Sequence, residues 1–252
     1  MSQTNSLQTA PVALITGGAR RIGAEIARQL HRQGYRVLIH YRHSEQDAQA
    51  LATELNQAQP DSARLLQANL TEMAAIEPLA RQALTAFGRL DLLVNNASSF
   101  FPTPLADSSQ AQWDELINAN LRAPYFLTAA LSDALSEAGG CVINLIDIHA
   151  QRALPGYPIY SIAKAGLQMM TLSLAKELAP AVRVNGVAPG PILWPEAEAA
   201  LDLSQKEKVV DKTLLGRTGT AGEIAEAVGY LAGARFVTGQ ILAVDGGKSL
   251  YS

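Results

Sequence analysis

Val12-Ala13-Leu14-Ile15-Thr16 runs without a break into Gly17-Gly18-Ala19-Arg20-Arg21-Ile22-Gly23. The first five residues are a short apolar run of the length and composition of a buried strand. The glycines that follow let the backbone turn and approach a ligand closely. From residue 21 to 33 the apolar positions take helical spacing. A strand, a glycine loop and a helix N-terminus together make an anion site, because backbone N–H groups and the positive end of the helix dipole face the loop. A glycine-rich turn alone is a weak signal. At the first strand–helix junction of a long alternating pattern it points to a dinucleotide, and Gly17, Arg20, Arg21, Ile22 and Gly23 are the loop's candidate cofactor residues.

That alternating pattern extends outward over the chain. Strands are expected at 12–16, 36–40, 63–67, 91–95, 141–146, 183–187 and 240–244, and helices at 21–33, 45–57, 72–87, 110–136, 160–178 and 221–231. Strands and helices in strict alternation imply βαβ units, hence an α/β fold of the Rossmann type, a doubly wound parallel seven-stranded sheet with helices on both faces. No linker, repeat or low-complexity segment interrupts it, so residues 11–252 read as one domain behind a loose polar tail, 1–10. The segment 191–212, with Pro191, Pro195 and then a charged stretch, breaks the alternation and reads as a lid over a site.

The bulk numbers narrow the function. Over 252 residues, 48% hydrophobic and 17% charged content describes a globular chain. A net charge of −3 gives no electrostatic case for nucleic acid or an anionic membrane surface. No stretch approaches the roughly 20 apolar residues of a membrane span. The single cysteine, Cys141, excludes an intrachain disulfide and a thiolate zinc cluster, and no metal site is expected. These features read as a soluble, cytoplasmic protein.

The second strand ends in His40-Tyr41-Arg42-His43-Ser44. A site for NAD usually places an acidic residue here to bind the ribose 2′-hydroxyl. None is present; Arg42, Ser44 and the histidines suit a 2′-phosphate, and Arg20 could join them. The cofactor expected is therefore NADPH. Farther along, Tyr160 and Lys164 stand one helical turn apart, with Asp147 thirteen residues upstream. A phenol of ordinary pKa near ~10 is a weak acid–base catalyst at neutral pH. A neighbouring ammonium favours the phenolate and would bring that value down.

Taken together, Thr16-Gly17 with Gly23, Asn95-Asn96-Ala97, Asn120, Tyr160-x-x-x-Lys164, Pro189-Gly190 and Val244-Asp245-Gly246-Gly247 resemble the short-chain dehydrogenase/reductase family over essentially the whole chain. Two positions depart from its general pattern. Arg21 stands where a small residue, often glycine, is usual, and Asp147 stands where the catalytic serine is usual. Both departures resemble the pteridine reductase branch. So do Asn96-Ala97-Ser98-Ser99-Phe100, Gly156-Tyr157-Pro158-Ile159-Tyr160, and the His40-Tyr41 pair with Ser44. Asn69 replaces an aspartate common near the adenine, and Pro191-Ile192-Leu193-Trp194-Pro195 lacks the usual threonine.

The resemblance implies reduction of a dihydropterin or dihydrofolate by NADPH in a homotetramer. Tyr160, Asp147, Lys164 and Asn120 are then the catalytic group, with Tyr160 and Asp147 relaying a proton to a ring nitrogen. It implies that Asn69, Leu70, Asn96, Ala97, Ser98, Pro189, Gly190 and Ile192 join the cofactor site, where Tyr160 and Lys164 also reach the nicotinamide ribose. It implies that Arg21, Ser98, Phe100, Asp147, Tyr157 and Tyr160 meet the substrate, with Phe100 as a stacking platform and Leu154 and Trp194 beside it. A carbonyl or ketoacyl reductase and a non-catalytic dinucleotide-binding protein remain the alternatives.

Overall fold

The structure, a computed structural model, describes residues 10–192 and 202–250. Seven strands, β1 (Val12–Ile15), β2 (Arg36–Tyr41), β3 (Ala63–Gln67), β4 (Leu92–Asn95), β5 (Cys141–Leu145), β6 (Arg183–Pro189) and β7 (Ile241–Val244), form one sheet in the order β3-β2-β1-β4-β5-β6-β7. All six pairings are parallel. The Rossmann-type α/β fold read from the sequence is the fold observed.

Period two along each strand sorts the side chains between two cores. Ala13 and Ile15 of β1, with Val37, Ile39, Val94 and Ile143, face helices α1 (Arg21–Arg32), α2 (Glu45–Ala58) and α8 (Ala221–Gly233). Val12 and Leu14, with Leu38, Leu93, Val142 and Val184, face α3 (Ile76–Phe87), α5 (Ala123–Glu137) and the end of α6 (Pro158–Glu177). Because both faces are covered, β1 is apolar throughout, and β4 and β5 are apolar but for the buried Asn95 and Asn144. Leu14, Leu93 and Leu127 are completely buried, and truncating any of them to alanine would cost about 2–5 kcal/mol.

Local chemistry sets the ends of the helices. Ser109 and Gln112 form a reciprocal capping box at the start of α4 (Gln110–Ile117), and Thr220 with Glu223 does the same for α8. The helix expected over 110–136 is not continuous. Between α4 and α5 the backbone widens into a π turn over Asn118–Arg122, which a count of apolar spacings does not register. Within the expected lid, residues 193–201 lie outside the described residues, as do 1–9 of the expected tail. The remainder of the lid contains an unanticipated helix, α7 (Leu203–Asp211).

Strand order reverses at β1, which pairs with β2 on one side and β4 on the other. A doubly wound sheet opens a crevice at this point, beyond the carboxyl ends of its strands. The loops after β1, β2, β4, β5 and β6 therefore share one cleft.

Candidate active site

The cleft begins at the loop after β1. Gly17 has a left-handed backbone, φ +59°. A side chain at Gly23 would come 2.7 Å from Asn96 Nδ2 and closer still to the Gly17 carbonyl oxygen, so only glycine lets the loop close against the Asn96 turn. The two loops are laced together. Asn96 Nδ2 donates to the carbonyl oxygens of Thr16 at 2.8 Å and Gly17 at 3.0 Å, while Thr16 Oγ1 accepts from the N–H groups of Asn96 and Ala97. Gly17, Arg20, Arg21, Ile22, Gly23, Asn96, Ala97 and Ser98 line this middle portion.

Arg21 adopts φ +52°, a left-handed conformation that costs a non-glycine residue about 1–2 kcal/mol. This explains why glycine suits the position and shows that the chain carries strain to place an arginine here. The residue lines both the middle portion and the portion around Tyr160.

Toward the ends of β2 and β3 the cleft is lined by His40, Tyr41, Arg42, His43, Ser44, Asn69, Leu70 and Thr71. Arg42 lies 3.7 Å from Glu115 of α4, both side chains about two-fifths exposed, and Arg20 lies 3.6 Å from Asp47 of α2. Asn69 turns its amide inward on its own turn, accepting from Thr71 and donating to Glu72 Oε1 at 2.7 Å. His40 is buried inside the strand. Its ring nitrogens meet Gly17 N–H and the Ala68 carbonyl oxygen.

At the other end, α6 starts at Pro158 and brings Tyr160 and Lys164, 5% and 3% exposed, under the end of β5. The Tyr160 hydroxyl donates to Asp147 Oδ2 at 2.8 Å. Asp147 Oδ1 accepts from the His149 N–H at 2.8 Å, and Lys164 Nζ donates to the Leu145 carbonyl oxygen at 2.8 Å. Burial, and then the Asp147 carboxylate, push the Tyr160 phenol well above its ordinary pKa. Burial pulls the Lys164 ammonium down to about 8, with Asp147 opposing.

The expectation that Lys164 lowers the tyrosine pKa is therefore corrected. The charge nearest the hydroxyl is the carboxylate, and the ammonium is bonded to backbone. Tyr160 is held as a phenol.

Phe100 meets the Tyr160 ring edge-on at 4.8 Å between centroids and lines the cleft with Asp147, Lys164, Pro189, Gly190 and Ile192. Tyr157 stacks on Phe100 at 4.6 Å and 8°, so it meets the site through that ring. Asn120 is fully buried in the π turn. Its Oδ1 accepts from Ser98 Oγ at 2.6 Å, and its Nδ2 donates to the carbonyl oxygens of Ser99 and Leu116 at 2.9 Å. It fixes the Ser98-Ser99-Phe100 run and reaches the cleft only through it. Leu154 donates its N–H to Ser161 Oγ, and Trp194 lies outside the described residues. A side chain at Gly190 would come 2.6 Å from Asp245 Cα, which ties Pro189-Gly190 to the late Asp245-Gly246-Gly247 turn.

Participants missed in the sequence include Glu115, Asp47, Thr71, and Leu145 and Ala68 through their carbonyls. Backbone acceptors leave no residue-type signal, and Glu115 meets Arg42 across 73 positions of chain. Among the described residues no three His, Cys, Asp or Glu side chains gather as a metal site. No helix there is long and apolar enough to cross a membrane.

A family model described as enoyl-(acyl carrier protein) reductase matches residues 17–249. Pteridine reductase 1 of Leishmania tarentolae is 36% identical, with 96% of this chain and 97% of that protein covered. The 3-oxoacyl-[acyl-carrier-protein] reductase FabG of Staphylococcus aureus is 35% identical over 93% of this chain and 96% of that protein. The chain is an oxidoreductase that belongs to the short-chain dehydrogenase/reductase family.

Proposed function

We propose that this protein is an NADPH-dependent pteridine reductase that converts dihydropterins, of the dihydrobiopterin, dihydromonapterin or dihydrofolate type, to tetrahydropterins. The observation that carries the reading is the 2.8 Å bond from the Tyr160 hydroxyl to the Asp147 carboxylate, at a position where the family usually has serine. A hydroxyl suits a carbonyl oxygen that becomes an alkoxide. A ring C=N that gains a hydride at carbon needs a proton at nitrogen, and a carboxyl group bonded to the donor can restore that proton. The similarity to pteridine reductase 1 agrees.

The cleft fits a dinucleotide. Its glycines leave no room for side chains at the loop, and basic groups stand at the β2 end, where a 2′-phosphate would lie. Gly17 to Gly23, Asn96 to Ser98 and Pro189 to Ile192 would hold it, with Arg42, Ser44 and Arg20 at the 2′-phosphate and Asn69 and Leu70 at the adenine. The reduced nicotinamide, when bound, supplies the hydride.

Tyr160 keeps its proton on the phenol oxygen and delivers it to the ring nitrogen beside the reduced carbon. Asp147, half-buried beside the buried tyrosine, refills that oxygen from solvent. Lys164 provides a buried ammonium near the pair and would reach the ribose. Phe100, backed by Tyr157, offers a flat face to a flat heterocycle. Arg21 and Ser98 border the same space and would bond to the pterin edge.

Residues 11–252 act in this reading as one reductase domain in a cytoplasmic homotetramer. Support for assembly comes from exposed Tyr125 and Phe126 on α5 and Ile162 and Met169 on α6.

The relation to the ketoacyl reductases supports a second reading, and one experiment separates the two. Oxidation of NADPH and of NADH is followed with biopterin, dihydrobiopterin, dihydromonapterin, dihydrofolate, a 3-oxoacyl thioester and a simple ketone. Turnover concentrated on the dihydropterins is expected. Turnover confined to the thioester or ketone would overturn the assignment.

A further inference from the structure

Two of the amides in the glycine loop are already spoken for. The Gly17 N–H donates to Nδ1 of His40 at 3.0 Å, and the Gly18 N–H donates to the His40 carbonyl oxygen at 2.8 Å. His40 is 2% exposed, and its other ring nitrogen, Nε2, lies 3.1 Å from the Ala68 carbonyl oxygen, just beyond β3. These partners fix the tautomer. An amide N–H can only donate, so Nδ1 carries the lone pair; a carbonyl oxygen can only accept, so Nε2 carries the hydrogen. Burial keeps the ring neutral, its pKa pulled down to about 4.

With both nitrogens engaged by backbone, His40 has no polar ring atom left for a ligand, although it borders the cleft. Its grip falls on the peptide that needs one. Gly17 is held in a left-handed conformation, its carbonyl oxygen is taken by Asn96 and its N–H by His40. The loop is thereby clamped from both sides between β2 and β4. The Gly17 and Gly18 amides are withdrawn from anion binding, leaving that work to the amides later in the loop and at the start of α1.

We propose that His40 is the positioning residue of the phosphate loop. It acts through Gly17, and so governs affinity for the part of the dinucleotide common to NADPH and NADH. It governs neither the choice between them nor the chemical step. Arg42, one strand end away, has the opposite profile. The inference rests on the reading of the cleft as a dinucleotide site.

The test exploits the two nitrogens separately. An asparagine amide oxygen stands close to the place of Nδ1, and a glutamine amide nitrogen close to the place of Nε2. His40→Asn, His40→Gln and His40→Leu are measured for KM and kcat with both cofactors and for direct binding by nicotinamide fluorescence. His40→Leu should weaken NADPH and NADH alike, by roughly tenfold in KM, with kcat within about twofold. His40→Asn, which restores an acceptor for Gly17, should recover most of that loss, and His40→Gln should not.

If the leucine variant fails to fold, the comparison of asparagine with glutamine decides alone. Equal behaviour of those two variants, a loss confined to NADPH, or a loss in kcat without KM would overturn the proposal. A wild-type protein that binds neither dinucleotide would instead remove the reading of the cleft, and the same titration reports it.

Discussion

Around Tyr160 the polar groups are buried or half-buried and bonded at 2.8 Å, Tyr160 to Asp147 and Lys164 to the Leu145 carbonyl, whereas around Arg42 they are exposed and stand 3.6–3.7 Å from acids on flanking helices. The first arrangement is rigid. Each partner there loses its bond only by stranding a buried polar group, a cost of about 1–3 kcal/mol. The second is loose, since exposed ion pairs are worth about 0.2–1 kcal/mol and exchange readily with water and salt. Chemistry needs donors fixed to within a fraction of an ångström. Recognition of a dianionic phosphate needs charge that is accessible when the ligand arrives. Under the proposed function the same cleft would provide both, because one end lies under α6 and the other lies at the open rim of β2.

The largest effect should come from breaking the rigid end. Tyr160→Phe removes the hydroxyl that donates to Asp147 Oδ2 and leaves the ring packing intact. Dihydropterin reduction should fall by roughly 10²–10⁴-fold in kcat, while the Kd for NADPH stays within about threefold of wild type. Retained turnover would transfer the proton-donor role elsewhere.

At the loose end, Arg42→Ala should raise the KM for NADPH by roughly 10–100-fold, the scale of a charge-assisted hydrogen bond, and leave that for NADH nearly unchanged. A uniform loss with both cofactors would place Arg42 on the framework, where His40 is proposed to act, and would remove the distinction between the two ends.

Acidity offers a third probe, since the buried ammonium of Lys164 gives up its proton near pH 8 instead of near 10.5. Any step that needs the cation should decline as pH rises through about 8, approaching tenfold per unit. Stability should move the other way. Between pH 8 and about 10 the unfolded chain holds the lysine proton and the native chain does not, so this group makes unfolding harder as pH rises. Tyr160, whose phenol pKa is raised, keeps its proton over that window. Rate profiles and melting temperatures from pH 6.5 to 9.5 check both signs. A Lys164→Arg variant that keeps measurable turnover should lose the alkaline decline of the rate.

Most of the rigid end was legible before the structure. The i,i+4 spacing of Tyr160 and Lys164 on a helix needs only local periodicity, β5 falls within the expected residues, and Arg21 and Asp147 stand out as departures from the family pattern. What the sequence did not disclose is whom these groups bond. Lys164 was expected to tune Tyr160 and instead meets the carbonyl of Leu145, a backbone atom with no residue-type signature. Asn120 was placed in a continuous helix. It sits in a π turn, a change in backbone hydrogen bonding that carries no residue-type signature. The loose end was legible only as composition, since the partners of Arg42 and Arg20 come from helices distant in sequence.

The smallest effect is expected at Glu115. Glu115 accepts from Ser99 Oγ at 3.2 Å with the same oxygen that lies 3.7 Å from Arg42. If Arg42 binds the 2′-phosphate, Glu115 competes with that phosphate for the guanidinium. Glu115→Gln keeps an acceptor for Ser99 and removes the charge. NADPH affinity should then rise about two- to fivefold, within the range of an exposed ion pair, with NADH affinity flat and the gain shrinking in high salt. In an Arg42→Ala background the same change should do nearly nothing, because the interaction it relieves is already gone. A gain that persists there, or one that appears equally with NADH, would mean that Glu115 acts on the cleft as a general charge. The rim would then be tuned by its overall field, and the contrast with the paired, buried groups at Tyr160 would be one of total charge more than of individual bonds.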